Sequence, residues 1–226
     1  MPVFKLSNSL EFPPSSLAEP NGLLCVGGDL LTERILLAYS NGIFPWYSNG
    51  EPILWWSPDP RLVIYPGKIH ISRSLSKKIK NNYFTISIDR AFENVIMKCA
   101  SSRTDKLEET WLTNEMIDAY IKLHKEGFAH SVECWKDQKL VGGLYGVSLG
   151  GCFFGESMFH LVNDASKIAL VTLSAFLSDL NFDFIDCQVT SQHLLRMGGV
   201  EIPRKMFVDQ LKLSMEKPTI TGPWIY

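Results

Sequence analysis

The chain has 226 residues, 46% of them apolar and 20% charged, with a formal net charge of −2. That length and balance suit a folded protein with a substantial core, as one large domain or a small domain joined to a medium one, and exclude a disordered chain. A strongly basic nucleic-acid binder is excluded too, so any RNA contact must come from a local patch.

In chain order, the first ~60 residues are dense in turn signals: Pro13-Pro14, Pro20-Asn21-Gly22, Gly27-Gly28, Asn49-Gly50, Pro58 and Pro60. One helix is expected there, Leu31 to Asn41, stopped by Gly42. Aromatics crowd behind it at Phe44, Trp46, Tyr47, Trp55 and Trp56. From Leu62 onward the pattern turns to mixed α and β. A strand is expected over Leu62 to Tyr65, a basic helix over Ser72 to Lys80 with Ser72 as its N-cap, a strand over Tyr83 to Ile88 and a helix over Ala91 to Cys99. Thr113 opens a capped helix to about Glu126, which Gly127 ends.

Three strand-like runs follow, Ala129 to Trp135, Leu140 to Leu149 and Gly151 to Met158. The short turns Lys136-Asp137-Gln138 and Gly150-Gly151 make them antiparallel hairpins. A long helix over Asp164 to Leu180, a strand over Phe184 to Val189, and helices over Gln192 to Met197 and Arg204 to Met215 complete the chain. The expected class is α+β: a small turn-rich N-terminal domain over residues 1–61, and a mixed-sheet domain over residues 62–226 whose element order is that of a GNAT-like acyltransferase.

The five cysteines (Cys25, Cys99, Cys134, Cys152, Cys187) are odd in number and lack a Cys-x-x-Cys pair, so buried free thiols in a reducing compartment are expected. The N-terminus has no basic-then-apolar signal pattern, and no apolar run reaches the ~18–20 residues of a membrane span. A cytoplasmic monomer without membrane or DNA partners is expected.

Four places could carry chemistry. In a strand, Asp186 and Gln188 would share one face with Cys187 opposite, and polar pairs on an apolar strand are costly unless satisfied or used. They could orient an amine, or cap a turn and fill a buried network. Glu156 follows the apolar run Cys152-Phe153-Phe154, where a carboxylate needs either a partner such as Lys167 or a cationic ligand. Trp46, Trp55, Trp56, Trp111 and Phe153 could wall an apolar pocket or stack on a base, or simply pack the core. Finally, His70, Arg73, Lys77, Lys78 and Lys80 form a basic stretch, with Arg73, Lys77 and Lys80 on one helix face, able to hold phosphates or only to be solvated. Phosphate-loop, Gly-x-Gly-x-x-Gly, Gly-x-Ser-x-Gly and His-Glu-x-x-His patterns are absent, as is any dense His/Cys cluster, so no metal is expected. Cys187 with His193 has no spacing known for thiol catalysis.

Several stretches, in order, carry a resemblance. They include Glu19-Pro20-Asn21-Gly22-Leu23-Leu24, Gly27-Gly28-Asp29-Leu30 and Asn41-Gly42-Ile43-Phe44-Pro45-Trp46. Further on stand Trp55-Trp56-Ser57-Pro58-Asp59-Pro60-Arg61, Thr110-Trp111-Leu112-Thr113, Phe154-Gly155-Glu156-Ser157-Met158-Phe159 and Ile185-Asp186-Cys187-Gln188. Over nearly its whole length the chain resembles the leucyl/phenylalanyl-tRNA–protein transferases. The resemblance implies transfer of Leu or Phe, less readily Met, from aminoacyl-tRNA to an N-terminal Lys or Arg, marking the acceptor for N-degron proteolysis. By position it implies Trp46, Trp111, Phe153, Leu173 and Leu177 as the aminoacyl pocket. Asp186, Gln188 and Glu156 are implied as the reactive polar set, and Arg73 with its neighbours as the tRNA contact. An aminoacyl ester is already activated, so no cofactor is expected. Leu173 and Leu177 stand where the family suggests phenylalanines, and Ser191 where it suggests asparagine. Phe153 and Glu156 fall on opposite faces by strict alternation, so both serve one site only if the strand bulges near Gly155. Two other readings remain. An acyl-CoA acetyltransferase needs a glycine-rich turn before the long helix, which 160–167 lacks. A non-catalytic tRNA-binding module would keep the basic stripe without needing Asp186, Glu156 or Gln188.

Overall fold

The structure, a computed structural model, describes residues 3–104 and 112–225. The turn-rich beginning holds a small sheet of four short strands, β1 (Phe4–Leu6), β2 (Leu23–Gly27), β3 (Phe44–Pro45) and β4 (Leu54–Trp56), in the order β1-β2-β4-β3. β1 lies parallel to β2, and the other pairs are antiparallel. Sequence patterning predicts none of these strands, because two to five residues between prolines and glycines show no alternation. The helix α1 (Thr32–Ser40) packs Ile35, Ala38 and Tyr39 inward at helical spacing. Gly42 follows with φ 71°, and a Cβ there would lie 2.9 Å from the Phe207 ring. The stop is therefore both a left-handed turn and a close approach.

The remaining strands are β5 (Arg61–Ile64), β6 (Thr85–Ile88), β7 (Ala129–Lys136), β8 (Lys139–Leu149), β9 (Cys152–His160), β10 (Phe184–Asp186) and β11 (Val200–Ile202). They form one mixed sheet in the order β11-β5-β10-β9-β8-β7-β6. β6 to β9 are antiparallel neighbours, whereas β9 and β10 are parallel and joined by a crossover through α5 (Ala165–Asp179). The α+β class and the strand–strand–strand–helix–strand–helix order are as expected. Asp137 and Gln138 both take positive φ (49° and 60°), the signature of a type I′ hairpin.

The other helices are α2 (Arg73–Lys80), α3 (Phe92–Thr104), α4 (Asn114–Lys125), α6 (Gln192–Arg196) and α7 (Arg204–Ser214). Ser72 caps α2 by accepting the Leu75 N–H at 3.3 Å, and Thr113 caps α4 by accepting that of Met116 at 3.3 Å. One buried cluster joins α1, α3, α4, α7 and the small sheet to one face of the large sheet through Tyr145, Val147 and Phe154. The other buries α5, Leu75 and Trp224 against the opposite face, on Leu144, Phe153 and Ile185. The chain's end is tied down: Trp224 stacks on the buried His130 at 3.7 Å, its backbone N–H donates to Asp89, and its ring lies 5.9 Å from Phe153. No described helix is long and apolar enough to cross a membrane.

One expected strand ends well before its pattern does. β10 stops at Asp186 instead of running to Val189, because Gln188 turns into the left-handed region (φ 63°). Strand alternation therefore does not relate Asp186 to Gln188. β11 and the full reach of α3 also exceed what the sequence pattern marks.

Candidate active site

The site forms where β10 ends while β9 continues. Register between β8 and β9 runs from Tyr145 opposite Ser157 to Gly146 opposite Gly155, leaving Glu156 as the extra residue of a bulge. The bulge lies beside Gly155, and through it Phe153 and Glu156 line one cavity. Gly146 is required opposite it: a Cβ there would lie 2.2 Å from the Phe154 carbonyl and 2.5 Å from the Phe153 ring.

The cavity measures about 290 Å³. Phe44, Pro45 and Trp46 of the small sheet form one wall. Phe153, Leu170, Leu173 and Ile185 form an apolar floor, and Glu156, Gln188, Ser191 and His193 bring polar groups to it. Such a mostly apolar hollow with a few placed polar groups is the usual form of a small-ligand site.

Its polar end is a single hydrogen-bonded chain. Gln188 donates its side-chain amide to Glu156 Oε1 at 2.8 Å. Tyr39 of α1 donates to the same oxygen at 2.7 Å, and Tyr120 of α4 donates to Oε2 at 2.9 Å. The two phenol oxygens are themselves 2.6 Å apart. Two phenolic hydrogens serve only two of the three close oxygen–oxygen pairs while Glu156 is ionised; with Glu156 protonated, one phenol accepts from the carboxyl and donates to the other phenol, and all three pairs are filled. Burial accordingly lifts the Glu156 carboxyl to about 7, against the opposing pull of the bonds from Tyr39, Tyr120 and Gln188. Both phenols are pushed well above their ordinary range, by burial first and then by the Glu156 charge.

Asp186 lies behind this chain. Arg61 grips both its oxygens, Nε to Oδ1 at 2.8 Å and Nη2 to Oδ2 at 2.6 Å, with both side chains fully buried. The guanidinium also donates to the Gly42 carbonyl at 3.1 Å and sits between the Phe44 and Phe207 rings. Asp186 Oδ1 in turn accepts the backbone N–H of Gln188 at 2.9 Å, which holds the left-handed turn that aims the Gln188 side chain at Glu156. Asp186 is thus one step removed from the cavity wall, with Gln188 between.

The structure brings together Glu156, Gln188, Trp46, Phe153 and Leu173. Trp46 is 41% exposed and packs on Trp56 at 5.8 Å, so one side of it is open to a ligand. Leu177 is in the core behind the floor, since it sits one helical turn beyond Leu173. Trp111 lies outside the described residues. Of the basic stretch, His70, Arg73, Lys77 and Lys80 are at least partly exposed, whereas Lys78 is half-buried and reaches Asp164 at 2.7 Å. Lys167 pairs with the same Asp164 and not with Glu156. The Cys187 thiol, at the cavity, is raised by burial and by Asp186, the opposite of what a reactive thiolate needs.

Sequence reasoning assigns no role to Arg61, Tyr39 or Tyr120. Arg61 carries a signal: a cation opening the apolar run Leu62-Val63-Ile64 demands a buried partner. The tyrosines carry none, since each merely occupies a buried helical position.

A family model described as leucyl/phenylalanyl-tRNA protein transferase matches residues 63–212, and the model of that family's N-terminal domain matches residues 28–59. Full-length relatives carry the same description. One from Desulforapulum autotrophicum is 60% identical over 226 residues, covering 100% of this chain and 99% of the relative. Another from Syntrophobacter fumaroxidans is 55% identical, covering 99% and 96%. Among solved structures, a GCN5-related N-acetyltransferase from Kribbella flavida aligns with TM-score 0.39 and 10% identity, over 74% of this chain and 59% of that one.

Proposed function

The chain belongs to the leucyl/phenylalanyl-tRNA–protein transferase family, and from that premise we propose that it moves Leu or Phe, less readily Met, from aminoacyl-tRNA to the N-terminal Lys or Arg of acceptor proteins. As a member of that family it is an aminoacyltransferase. The proposed product is a new peptide bond and a destabilising N-terminus read by N-degron proteolysis in the cytoplasm. The observation that supports this reading best is the apolar cavity closed at one end by the buried Glu156–Gln188 pair.

In the proposed reaction the acceptor's neutral α-amine attacks the ester carbonyl. The C–N bond forms, the ester C–O bond breaks, and the proton lost by the amine ends on the departing ribose oxygen. Trp46, Phe153 and Leu173 hold the aminoacyl side chain, Trp111 belongs to the same pocket by family position, and Leu177 backs the floor from behind Leu173. An apolar pocket separates side chains by about 1–3 kcal/mol per methylene, so selection among Leu, Phe and Met is graded. Gln188 has its amide nitrogen committed to Glu156, which leaves its carbonyl oxygen to accept from the incoming amine. Glu156, once ionised, attracts the cationic side chain of an N-terminal Lys or Arg. Asp186 is a positioning residue that acts through the Gln188 backbone. Placement of an activated ester against an amine can supply on the order of 7–11 kcal/mol. His70, Arg73, Lys77, Lys78 and Lys80 are proposed to meet the tRNA backbone, with Lys78 doing so from its ion pair.

The test is transfer of labelled Phe from Phe-tRNA to the α-amine of a peptide beginning with Arg, without CoA, ATP or added metal. Wild-type protein is expected to label the peptide. Gln188→Ala should slow transfer by about 100-fold, the scale of a lost alignment, and cost about 1–3 kcal/mol of stability by leaving Glu156 one buried partner short. Asp186→Ala should slow transfer and also destabilise the fold by about 3–5 kcal/mol, because it strands Arg61 as a buried unpaired charge. Absence of transfer by folded wild-type protein would overturn the proposal.

A further inference from the structure

Three elements gather basic side chains around His193, a residue of the cavity lining. β9 ends on His160, the first turn of α5 carries Lys167, and α6 carries His193 and Arg196. His193 lines the cavity itself. Its imidazole is held below the ordinary range, by partial burial first and then by the positive charges of Lys167, His160 and Arg196. Lys167 does not hang free: its Nζ is 2.8 Å from Asp164 Oδ1. Lys78 of α2 takes the other oxygen of the same carboxylate at 2.7 Å and also donates to the Asn163 carbonyl at 3.2 Å.

Two consequences follow from that shared carboxylate. It fastens the basic helix α2 to the start of α5, and two lysines on one aspartate leave a positive excess there. Positive charge therefore continues from Arg73, Lys77 and Lys80 on α2, across Lys78 and Lys167, to Arg196, with the His193 imidazole at the cavity as an N–H donor beside it. This happens in a chain whose net charge is −2, so the concentration is local. Like charges gathered beside an apolar hollow repel one another until an anion arrives. The proposed donor has such an anion in the right place. Its aminoacyl group must reach the cavity floor while its base-paired stem stays outside, and the strand between them carries one phosphate per nucleotide.

Resting on the transferase reading, we propose that Lys167, His193 and Arg196 bind the phosphates of the unpaired 3′ end of aminoacyl-tRNA and lead it from α2 into the cavity. These three residues lie outside the basic stretch that the sequence marks. They act on the donor's backbone and not on the aminoacyl side chain, so they set how tightly the whole tRNA is held and not which amino acid is chosen.

Two donors separate this role from others: Phe-tRNA, and phenylalanyl-adenosine, which carries no phosphate. With the double variant Lys167→Gln/Arg196→Gln, KM for Phe-tRNA should rise about tenfold. The slope of its logarithm against log salt should fall by about 0.7 for each phosphate that the variant no longer neutralises. Transfer from phenylalanyl-adenosine should change by much less than the Phe-tRNA value, and the charge-keeping double variant Lys167→Arg/Arg196→Lys should retain most of the wild-type affinity. Equal losses with both donors, or an unaltered salt slope, would overturn the assignment. Failure of the wild-type protein to use either donor would instead overturn the transferase reading, and the assignment with it.

Discussion

Glu156 combines a buried carboxyl with partners that are two phenols and an amide, and its pH behaviour follows from that. Its folded-state carboxyl lies near 7, above the ordinary value of 4.5. The fold thus binds a proton that the unfolded chain releases, so its contribution to stability is complete below about 4.5 and is lost as pH rises through 7. Glu156→Gln, which keeps the shape without the charge, should remove that loss. Urea unfolding from about pH 4.5 to about pH 8.5 should show wild type falling behind the variant by roughly 2–3 kcal/mol at the alkaline end. Parallel curves would refute a raised carboxyl. Transfer to an Arg-starting peptide should climb more steeply up to about pH 7 in wild type, where Glu156 ionisation adds to deprotonation of the α-amine, and the variant should keep only the amine's own limb. At this scale the sequence is informative where chemistry clashes with surroundings. A carboxylate after Cys152-Phe153-Phe154 and an Asp on an apolar strand are visible conflicts. Tyr39 and Tyr120 are not, because a tyrosine on a buried helix face conflicts with nothing.

Elements with strong local chemistry are legible in the sequence. Ser72 and Thr113 begin their helices as the capping rule requires, and the β7–β8–β9 hairpins carry their turn residues in place. The bulge is inferable only as a need, from the parity of Phe153 and Glu156; its location at Glu156 is a matter of register with β8. The end of β10 escapes the pattern because Phe184 to Val189 alternates as a strand does, while the bond from the Gln188 N–H to Asp186 turns the chain away. The terminal segment 221–225 shows how an element without regular structure can matter. Trp224 fills the space between His130, Phe153, Phe176 and Phe182. Trp224→Ala should cost about 3–5 kcal/mol, as large aromatic deletions in a core do. A shift of denaturant midpoint at unchanged slope would register it, and a variant as stable as wild type would show that the segment is not held.

Over the whole molecule, the two sheets are joined by one buried cluster. Tyr39 packs on Phe154 at 4.8 Å, and Arg61 is clasped between Phe44 and Phe207. The cavity takes one wall from each side of residue 61, with Trp46 from the small sheet and Phe153 from the large one. The proposed division at 1–61 and 62–226 is therefore expected to be one of chain topology and not of independent folding. Heat or urea should unfold the protein in a single transition, coincident by tryptophan fluorescence and by far-ultraviolet dichroism. Two separated transitions would show that residues 1–61 have a stability of their own.

By itself the sequence determined the α+β class, the caps and hairpins, most helix boundaries, and the family, since these depend on local patterns and on motifs kept in order. It also marked Glu156, Gln188, Trp46 and Phe153, each a residue whose type is at odds with its neighbours or fixed by a motif. Only the tertiary structure decided that Asp186 faces Arg61 instead of the cavity, that Leu177 lies behind Leu173, and that Lys78 and Lys167 share Asp164. Those outcomes depend on which distant segments meet: 125 residues separate Arg61 from Asp186, and 86 separate Lys78 from Asp164. A buried charge announces that it must have a partner, but only packing selects which one.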